Sequence, residues 1–230
     1  MGSFINIKTK NLIPLVSERL STGCRSLDEQ LEGGIEIGAS TLAYGEPGSG
    51  KTSLAIQLSK KVISSGKKSI FIDTEGVSFE RIQQIFGDTD TSDLIILEPK
   101  DQGELHQSIS DPRLIQPDVG IIVVDTINAH TRLAYALDKE RCEAQFLKIL
   151  MALQNISRNF PISVFMTAQI FERNGDIEPY FGRTLVYMAK TLLLFEKGEA
   201  PSLRHSRLMK HRSIAEGSVS DFLLTNQGLE

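Results

Sequence analysis

A glycine-rich stretch that ends in a lysine and a threonine has the clearest capacity for chemistry in this sequence. Its residues are Gly45, Glu46, Pro47, Gly48, Ser49, Gly50, Lys51 and Thr52, an unbroken match to G-x-x-x-x-G-K-[ST]. Glycines let the backbone curl so that successive N–H groups point at one anion, and the following helix adds its positive end. The pattern therefore predicts a P-loop that binds nucleotide phosphates. A glycine-rich turn without a ligand is the alternative, but such a turn does not call for a Lys-Thr pair.

Within this P-loop the side chains have distinct expected roles. Lys51 would reach the β- and γ-phosphates as a mobile positive charge, and the hydroxyl of Thr52 would bind Mg²⁺. Ser53 follows on the same helix and belongs to the predicted nucleotide site.

Two acidic residues follow apolar, strand-like runs, at positions where carboxylates could assist hydrolysis of a bound nucleotide. Asp125 closes an apolar run at 119–124, the position of a carboxylate that holds the water shell of the metal. An Asp that only ends a strand is the alternative for this residue. Glu75 follows another apolar run and could accept a proton from an attacking water. Asp73 competes for that role, although strand alternation is expected to point it away.

A basic run at 203–212 predicts a second anion site. Arg204, Lys210 and Arg212 have even spacing, so in a regular strand they would share one face. A solvated edge strand, kept soluble by its charges, is the alternative interpretation.

Apolar and turn patterns predict the elements that position these residues. Strands are expected at 69–73, 94–97, 119–125 and 162–167, after a strand that leads into the P-loop, and helices at 53–65, 79–86, 103–109 and 140–159. This alternation predicts an α/β fold with a mostly parallel central sheet flanked by helices, whose ligands lie at the carboxyl ends of the strands. Beyond residue 191, three strand-like runs without a helix between them predict a C-terminal antiparallel extension.

Local signals add detail to this plan. Ser26 and Glu29 have the spacing of a capping box for a short helix, and Gly33-Gly34 would end it. Residues 170–182 predict a polar loop, and 183–190 predict one or two helical turns.

Composition limits the class of protein. With 230 residues, 40% of them hydrophobic, the chain predicts one domain at 20–230 preceded by an arm at 1–19. The net charge of −4 excludes a global positive field for nucleic acid. Cys24 and Cys142 lack the spacing of a zinc site or a disulfide framework. Neither an apolar run of membrane length nor a signal peptide occurs, which predicts a cytoplasmic protein without membrane contact.

Several motifs in a fixed order resemble the ATPase core of the RecA family. They are the segment 20–34, the P-loop, 73–76, 125–126 and the strand that ends at Gln169. Within that family the chain is most similar to an archaeal paralogue of the recombinases, since its core begins almost at once and it carries Lys210-His211-Arg212-Ser213 followed by Glu216-Gly217.

The resemblance implies ATP and Mg²⁺ as ligands and assigns roles residue by residue. Lys51 and Thr52 match the phosphate and Mg²⁺ residues, and Asp125 matches the Walker B aspartate. Glu75 is similar to the general base, and Gln169 to the glutamine that senses the γ-phosphate. Arg81 resembles the arginine that lies on the adenine ring, with a gap of one residue.

For DNA the resemblance implies two loops, here 128–139 and 170–182. The first offers His130, Arg132, Tyr135 and Lys139, which suit phosphates and base stacking. The second carries Arg173, with Arg183 just outside it, among Glu172, Asp176 and Glu178. This acidic balance argues against strand exchange, because each backbone contact must neutralise a phosphate.

Two roles for the basic run stay open. In RecA-like and KaiC-like assemblies, residues in this region reach the γ-phosphate held by the next subunit. In recombinase paralogues the run resembles part of a DNA-binding surface.

The leading hypothesis is an ATP-binding, slowly hydrolysing accessory protein of homologous recombination and DNA repair. It would bind DNA with modest affinity, associate with itself, and work with a recombinase and a junction-resolving nuclease, as the resemblance implies. The alternative is a KaiC-like regulatory ATPase that does not bind DNA. A full strand-exchange recombinase or a hexameric helicase ranks last.

Overall fold

The computed structural model describes residues 18–173 and 176–230. Its helices are α1 (Arg25–Gln30), α2 (Lys51–Ser64), α3 (Phe79–Phe86), α4 (Gln102–Ile109), α5 (Ala129–Tyr135), α6 (Lys139–Asn159) and α7 (Gly182–Met188). Its strands are β1 (Arg19–Leu20), β2 (Ile35–Glu36), β3 (Ser40–Gly45), β4 (Lys68–Asp73), β5 (Leu94–Leu97), β6 (Val119–Asp125), β7 (Ser163–Ala168), β8 (Ile170–Arg173), β9 (Asp176–Pro179), β10 (Thr191–Lys197), β11 (Leu203–Lys210), β12 (Val219–Thr225) and β13 (Gly228–Leu229). A 3-10 turn covers Pro112–Ile115. The predicted arm lies, up to residue 17, outside the described residues.

The central sheet orders its strands as β13-β12-β11-β10-β3-β7-β6-β4-β5. From β10 to β5 neighbouring strands are parallel, whereas β11, β12 and β13 continue the sheet antiparallel. This confirms the predicted α/β architecture with its antiparallel extension. One detail differs, since the extension begins at β11. β10 pairs parallel with β3, with Leu193 opposite Ala43, and so belongs to the parallel part.

Helices cover both faces of the parallel strands, and the sequence of β6 shows why. Ile122 and Val124 join the core under α6, while Ile121 and Val123 join the core under α2. Successive side chains of a strand point to opposite faces, so a strand buried on both faces must be apolar throughout. The continuous apolar run at 119–124 is therefore the pattern of a strand in the middle of the sheet.

Helix α1 is not held by the predicted capping box. Cys24 occupies its N-cap position without a side-chain cap, and the side chain of Glu29 pairs instead with Arg25 Nε at 2.8 Å. Asp28 organises the approach to the helix, because its carboxylate accepts from the backbone N–H of Thr22 and from the hydroxyl of Ser21. The capping-box prediction was wrong because Asp28 and Arg25 offer these local partners.

The two segments predicted as DNA loops contain regular structure. Most of 128–139 is helix α5 and the start of α6, and 170–182 contains an antiparallel hairpin of β8 and β9. Asn128 ties the two segments together, since its side-chain amide donates to the carbonyls of Gln169 and Tyr180. The predicted helical turns at 183–190 are α7.

A bulge in β11 changes the direction of its side chains. Leu193 of β10 lies opposite Leu208, but Leu192 lies opposite Lys210, so Met209 is an extra residue in β11. An extra residue reverses the alternation of faces beyond it. Lys210 therefore points to the face opposite that of Leu208 and Arg204. The prediction that Arg204, Lys210 and Arg212 share one face was wrong for this reason, and Arg212 lies beyond the strand end.

Candidate functional site

The candidate site lies at the carboxyl ends of the parallel strands, where β3 runs into the glycine-rich loop and α2. Gly45 closes β3 with a φ of 152°, and a Cβ atom there would lie 2.0 Å from the carbonyl oxygen of Phe195 in β10. Only glycine fits such a close approach of two backbones. Gly50 then occupies the N-cap position of α2 with a left-handed φ of 105°. The glycines thus give the loop the conformation that the motif predicts.

Lys51 lies folded over this loop. Its Nζ donates to the carbonyl oxygens of Gly45 and Glu46, each at 2.9 Å, and the side chain is only 8% exposed. Burial lowers the pKa of the Lys51 amine, while the negative charges of Asp125, Glu75 and Glu46 oppose this shift. The amine is thus a buried cation in a loop whose shape suits an anion.

Asp125 and Thr52 form the metal-compatible part of the site. The hydroxyls of Thr52 and Thr167 both hydrogen-bond the Asp125 carboxylate, which is buried at the end of β6. Burial raises the pKa of Asp125, and the hydrogen bonds from the two threonines oppose that shift.

These oxygen donors fit Mg²⁺, which prefers a few protein oxygens together with water and substrate phosphates. In residues 18–173 and 176–230 no cluster of three or more His, Cys, Asp or Glu side chains could hold a metal. A magnesium ion would therefore be held by the Thr52 hydroxyl, by Asp125 and by the nucleotide itself.

Glu75 lies at the end of β4, within reach of two other strand ends. Gln169 Nε2 and Thr126 Oγ1 both donate to Glu75 Oε1, the latter at 3.0 Å. Gln169 Oε1 is buried and, among the described residues, has no hydrogen-bond partner. The structure thus brings the predicted base and the predicted phosphate sensor into direct contact.

Asp73, the competitor for the role of base, has a different task. Its two carboxylate oxygens accept the backbone N–H groups of Glu75, Gly76 and Val77 at 3.1, 2.8 and 2.5 Å. Since both oxygens are occupied, Asp73 shapes the turn that presents Glu75.

Arg81 lies beside the first turn of α2. Its guanidinium donates to the Ser53 hydroxyl, with Nη2 at 3.0 Å, and to the carbonyl of Asn226 in the turn after β12, at 3.1 Å. Burial lowers the pKa of Arg81. The side chain therefore links the first turn of α2 to the turn after β12.

The three residues of the basic run do not converge. Arg204 Nε donates to the carbonyl of Gly48 in the P-loop of the same chain at 2.9 Å. Lys210 Nζ donates to the carbonyl of Ala189, just after α7, also at 2.9 Å. Arg212 forms an ion pair with the buried carboxylate of Glu36 at 2.8 Å. Each cation thus has its own local partner.

The predicted DNA segments meet on another face. Arg132 of α5 lies over the ring of Tyr180, 5.5 Å from its centroid, and Tyr135 contacts Phe181 edge-on. A cavity of about 950 Å³ is lined there by basic, aromatic and acidic side chains; it includes Arg132, Arg183, Phe171, Glu140, Glu143 and Glu178. The side chain of Arg173 lies outside the described residues.

Sequence reasoning gave no role to three residues that the structure places at this site. Thr126 and Thr167 donate to the two acidic residues, and Lys197 lies 3.4 Å from the carboxylate of Glu46 in the P-loop. Thr126 directly follows Asp125, a placement that could have drawn attention to it. Lys197 carries no such signal, because only the pairing of β10 with β3 brings it to the loop.

None of the helices in the described part of the chain has the length and apolar character to cross a membrane.

Comparisons with known proteins agree with the geometry. The sequence profile of the Rad51 family matches residues 15–230. A relative from Methanococcoides burtonii, named DNA repair and recombination protein RadB, is 35% identical over 224 residues, covering 93% of this chain and 98% of the relative. The relative of the same name from Methanothermobacter thermautotrophicus is 34% identical and covers 89% and 92%.

A solved structure agrees as well. The crystal structure of the RadB recombinase superposes with a TM-score of 0.78 at 33% identity, covering 92% of this chain and 98% of that one. The chain therefore belongs to the Rad51 family and, within it, to the group of RadB relatives.

Proposed function

We propose that this chain binds ATP with Mg²⁺ at its P-loop, hydrolyses it slowly, and acts as an accessory protein in DNA repair and homologous recombination. The observation that carries the proposal is the assembly of Lys51, Asp125, Glu75 and Gln169 from four different segments at one edge of the sheet. The name of the relatives, DNA repair and recombination protein RadB, supports the cellular role. A cytoplasmic location is part of the proposal.

The residues suggest how the reaction would proceed. Bound Mg²⁺ would neutralise phosphate charge between Thr52 and Asp125, and Lys51 would move from the loop carbonyls to the phosphates. Both hydrogen bonds to Glu75 use Oε1, so Oε2 is the oxygen that would take the proton from water. Gln169 donates to Glu75 and would exchange this hydrogen bond for one to the terminal phosphate; slow hydrolysis is part of the proposal.

For DNA, we favour the face formed by α5 and the β8–β9 hairpin. Arg132 and Arg183 are exposed there beside aromatic rings that could stack on bases. Lys210 and Arg212 are engaged with local partners, which makes the basic run the weaker candidate. Modest affinity and no strand exchange are expected, because Glu178 and two other acids line the same cavity. Self-association and work with a recombinase and a junction-resolving nuclease complete the proposal.

Fluorescence anisotropy with single- and double-stranded oligonucleotides tests the DNA part of the proposal. Titrations at several salt concentrations, with ATP, ADP or no nucleotide, would compare wild type with Arg132→Ala/Arg183→Ala and Lys210→Ala/Arg212→Ala. We expect binding that weakens with salt and with the first double substitution. A greater loss in the second variant would move the DNA to the basic run. Lys148→Ala, an exposed site on α6, is the matched control.

The second candidate is a regulatory ATPase without DNA binding. The acids that line the cavity between α5 and the hairpin favour it, as does the net charge of −4. Failure to bind any oligonucleotide at low salt, in a protein that binds ATP, would decide for this candidate.

A further inference from the structure

An ion pair and a hydrogen bond join the tip of the P-loop to the end of β10. Lys197 Nζ lies 3.4 Å from Glu46 Oε2, and the backbone N–H of Lys197 donates to Glu46 Oε1 at 3.2 Å. The ammonium and the carboxylate are 45% and 43% exposed. The contact therefore joins two half-exposed groups at the open side of the loop, where a ligand can reach both.

The side chain of Lys197 lies against the P-loop. Its Cε is 3.4 Å from the position that a Cβ on Gly48 would take, so the aliphatic stem passes over the loop. Burial lowers the pKa of Lys51, and the positive charge of Lys197 adds to that lowering. The two ammonium groups thus act on each other across the P-loop.

The position along the loop also matters. Lys51 contacts the carbonyls of Gly45 and Glu46, and in a P-loop this lysine reaches the β- and γ-phosphates. The Glu46 end of the loop is consequently the end nearest the terminal phosphate. Lys197 lies at that end.

We propose that Lys197 is a phosphate-binding residue that acts within its own chain, and that Glu46 holds it until the terminal phosphate of a nucleoside triphosphate takes the place of the carboxylate. This inference rests on the proposed binding of ATP. An exposed ion pair contributes little stability, so the exchange has a low cost. A triphosphate offers Lys197 a stronger, multiply charged partner, whereas a diphosphate ends short of it.

The exchange of partners by Lys197 would also change contacts outside the P-loop. The adjoining ends of β10 and β11 contact the P-loop at two points, through Lys197 at Glu46 and through Arg204 at Gly48. Release of Glu46 removes the side-chain part of the first contact. The antiparallel extension would thereby register which nucleotide is bound.

Calorimetric binding of ADP and of a non-hydrolysable ATP analogue, both with Mg²⁺, tests the inference. For Lys197→Met we expect about a tenfold loss of affinity for the triphosphate analogue, equivalent to about 1.4 kcal/mol, and little change for ADP. Glu46→Gln should strengthen binding of the analogue, but only while Lys197 is present. Lys148→Met on α6 is the control, and circular dichroism verifies folding of each variant.

The outcomes separate the two proposals. Unchanged affinity of Lys197→Met for the analogue, or equal losses for ADP and analogue, would overturn the role of Lys197 and leave the proposed function standing. A folded wild-type protein that binds neither nucleotide would overturn the proposed function and this inference with it.

Discussion

Gln169 donates a side-chain hydrogen bond to Glu75 although their strands, β7 and β4, are not neighbours in the sheet. Strand β6 lies between them and contributes Thr126, which donates to the same oxygen of Glu75. Three adjacent strand ends thus meet at one carboxylate. A change in the position of Gln169 therefore acts directly on the residue proposed to activate water.

The first prediction concerns this carboxylate. Glu75→Gln should lower ATP turnover by about two orders of magnitude or more, the usual scale for loss of a general base. Nucleotide affinity should change little, because Glu75 lies at the reacting end of the site. Single-turnover phosphate release and calorimetry measure the two quantities.

Asp73→Asn is the matched control for that variant. Its amide cannot accept all three backbone N–H groups that the carboxylate holds, so we expect a lower melting temperature together with lower turnover. Full turnover in Glu75→Gln would show that Glu75 is not the base.

The second prediction concerns the buried carboxylate at the end of β6. Burial raises the pKa of Asp125 in the folded chain, so its ionised form costs stability, and this cost grows as the pH rises from the unfolded pKa through the folded pKa. At neutral pH, Asp125→Asn should therefore raise the melting temperature of the nucleotide-free protein by a few degrees, since about 1 kcal/mol corresponds to about 2–4 °C at this size. Mg²⁺-dependent nucleotide binding should weaken. A lower melting temperature would contradict the argument.

The third prediction is the pH dependence of nucleotide binding. As the pH falls, Asp125 takes up a proton sooner than an ordinary aspartate, and Mg²⁺-dependent affinity declines. As the pH rises, Lys51 loses its proton sooner than an ordinary lysine, because burial lowers its pKa, and affinity declines again. Calorimetry across the pH range should show both declines. In Lys51→Arg the alkaline decline should disappear, because a guanidinium stays protonated.

The fourth prediction separates action within the chain from action on a neighbour. Arg204 is 9% exposed and donates to the carbonyls of Gly48, Pro201 and Leu203. Arg204→Met should destabilise the fold by about 2 kcal/mol, because hydrogen bonds of charged groups contribute about 1.5–3 kcal/mol. It should also weaken nucleotide binding in the same chain.

ATP hydrolysis by a mixture of two variant chains provides the measurement. If Arg204 serves its own P-loop, a mixture of Arg204→Met and Lys51→Ala chains should hydrolyse no more ATP than the two variants do separately. Recovery of turnover in the mixture would assign Arg204 to the neighbour.

Much of the fold could be predicted because local patterns determined it. The run at 119–124 is apolar throughout since both of its faces are buried, and α6 shows a regular apolar stripe with Phe146 and Leu150 in the core. The order of strands in the sheet could not be predicted in the same way. It depends on pairing between residues far apart in the chain, such as Leu193 with Ala43.

The same distinction between local patterns and long-range pairing applies to the residues of the candidate site. The P-loop is contiguous, so its glycines and Lys51 could be recognised from spacing alone. The contacts of Lys197 with Glu46 and of Arg204 with Gly48 join positions about 150 residues apart. No local sequence pattern predicts such contacts. The even spacing of Arg204 and Lys210 misled for a different reason, because a single extra residue in β11 cancels it.

That extra residue, Met209, also has a consequence for how such chains can diverge. Removing Met209 would place Lys210 directly after Leu208, still opposite Leu192 and still on the face of α7, because neighbouring residues of a regular strand point to opposite faces. The hydrogen-bonded ladder before the bulge would keep its register. The chain can thus lose or gain this one residue without moving the positive charge of Lys210 from one surface of the sheet to the other.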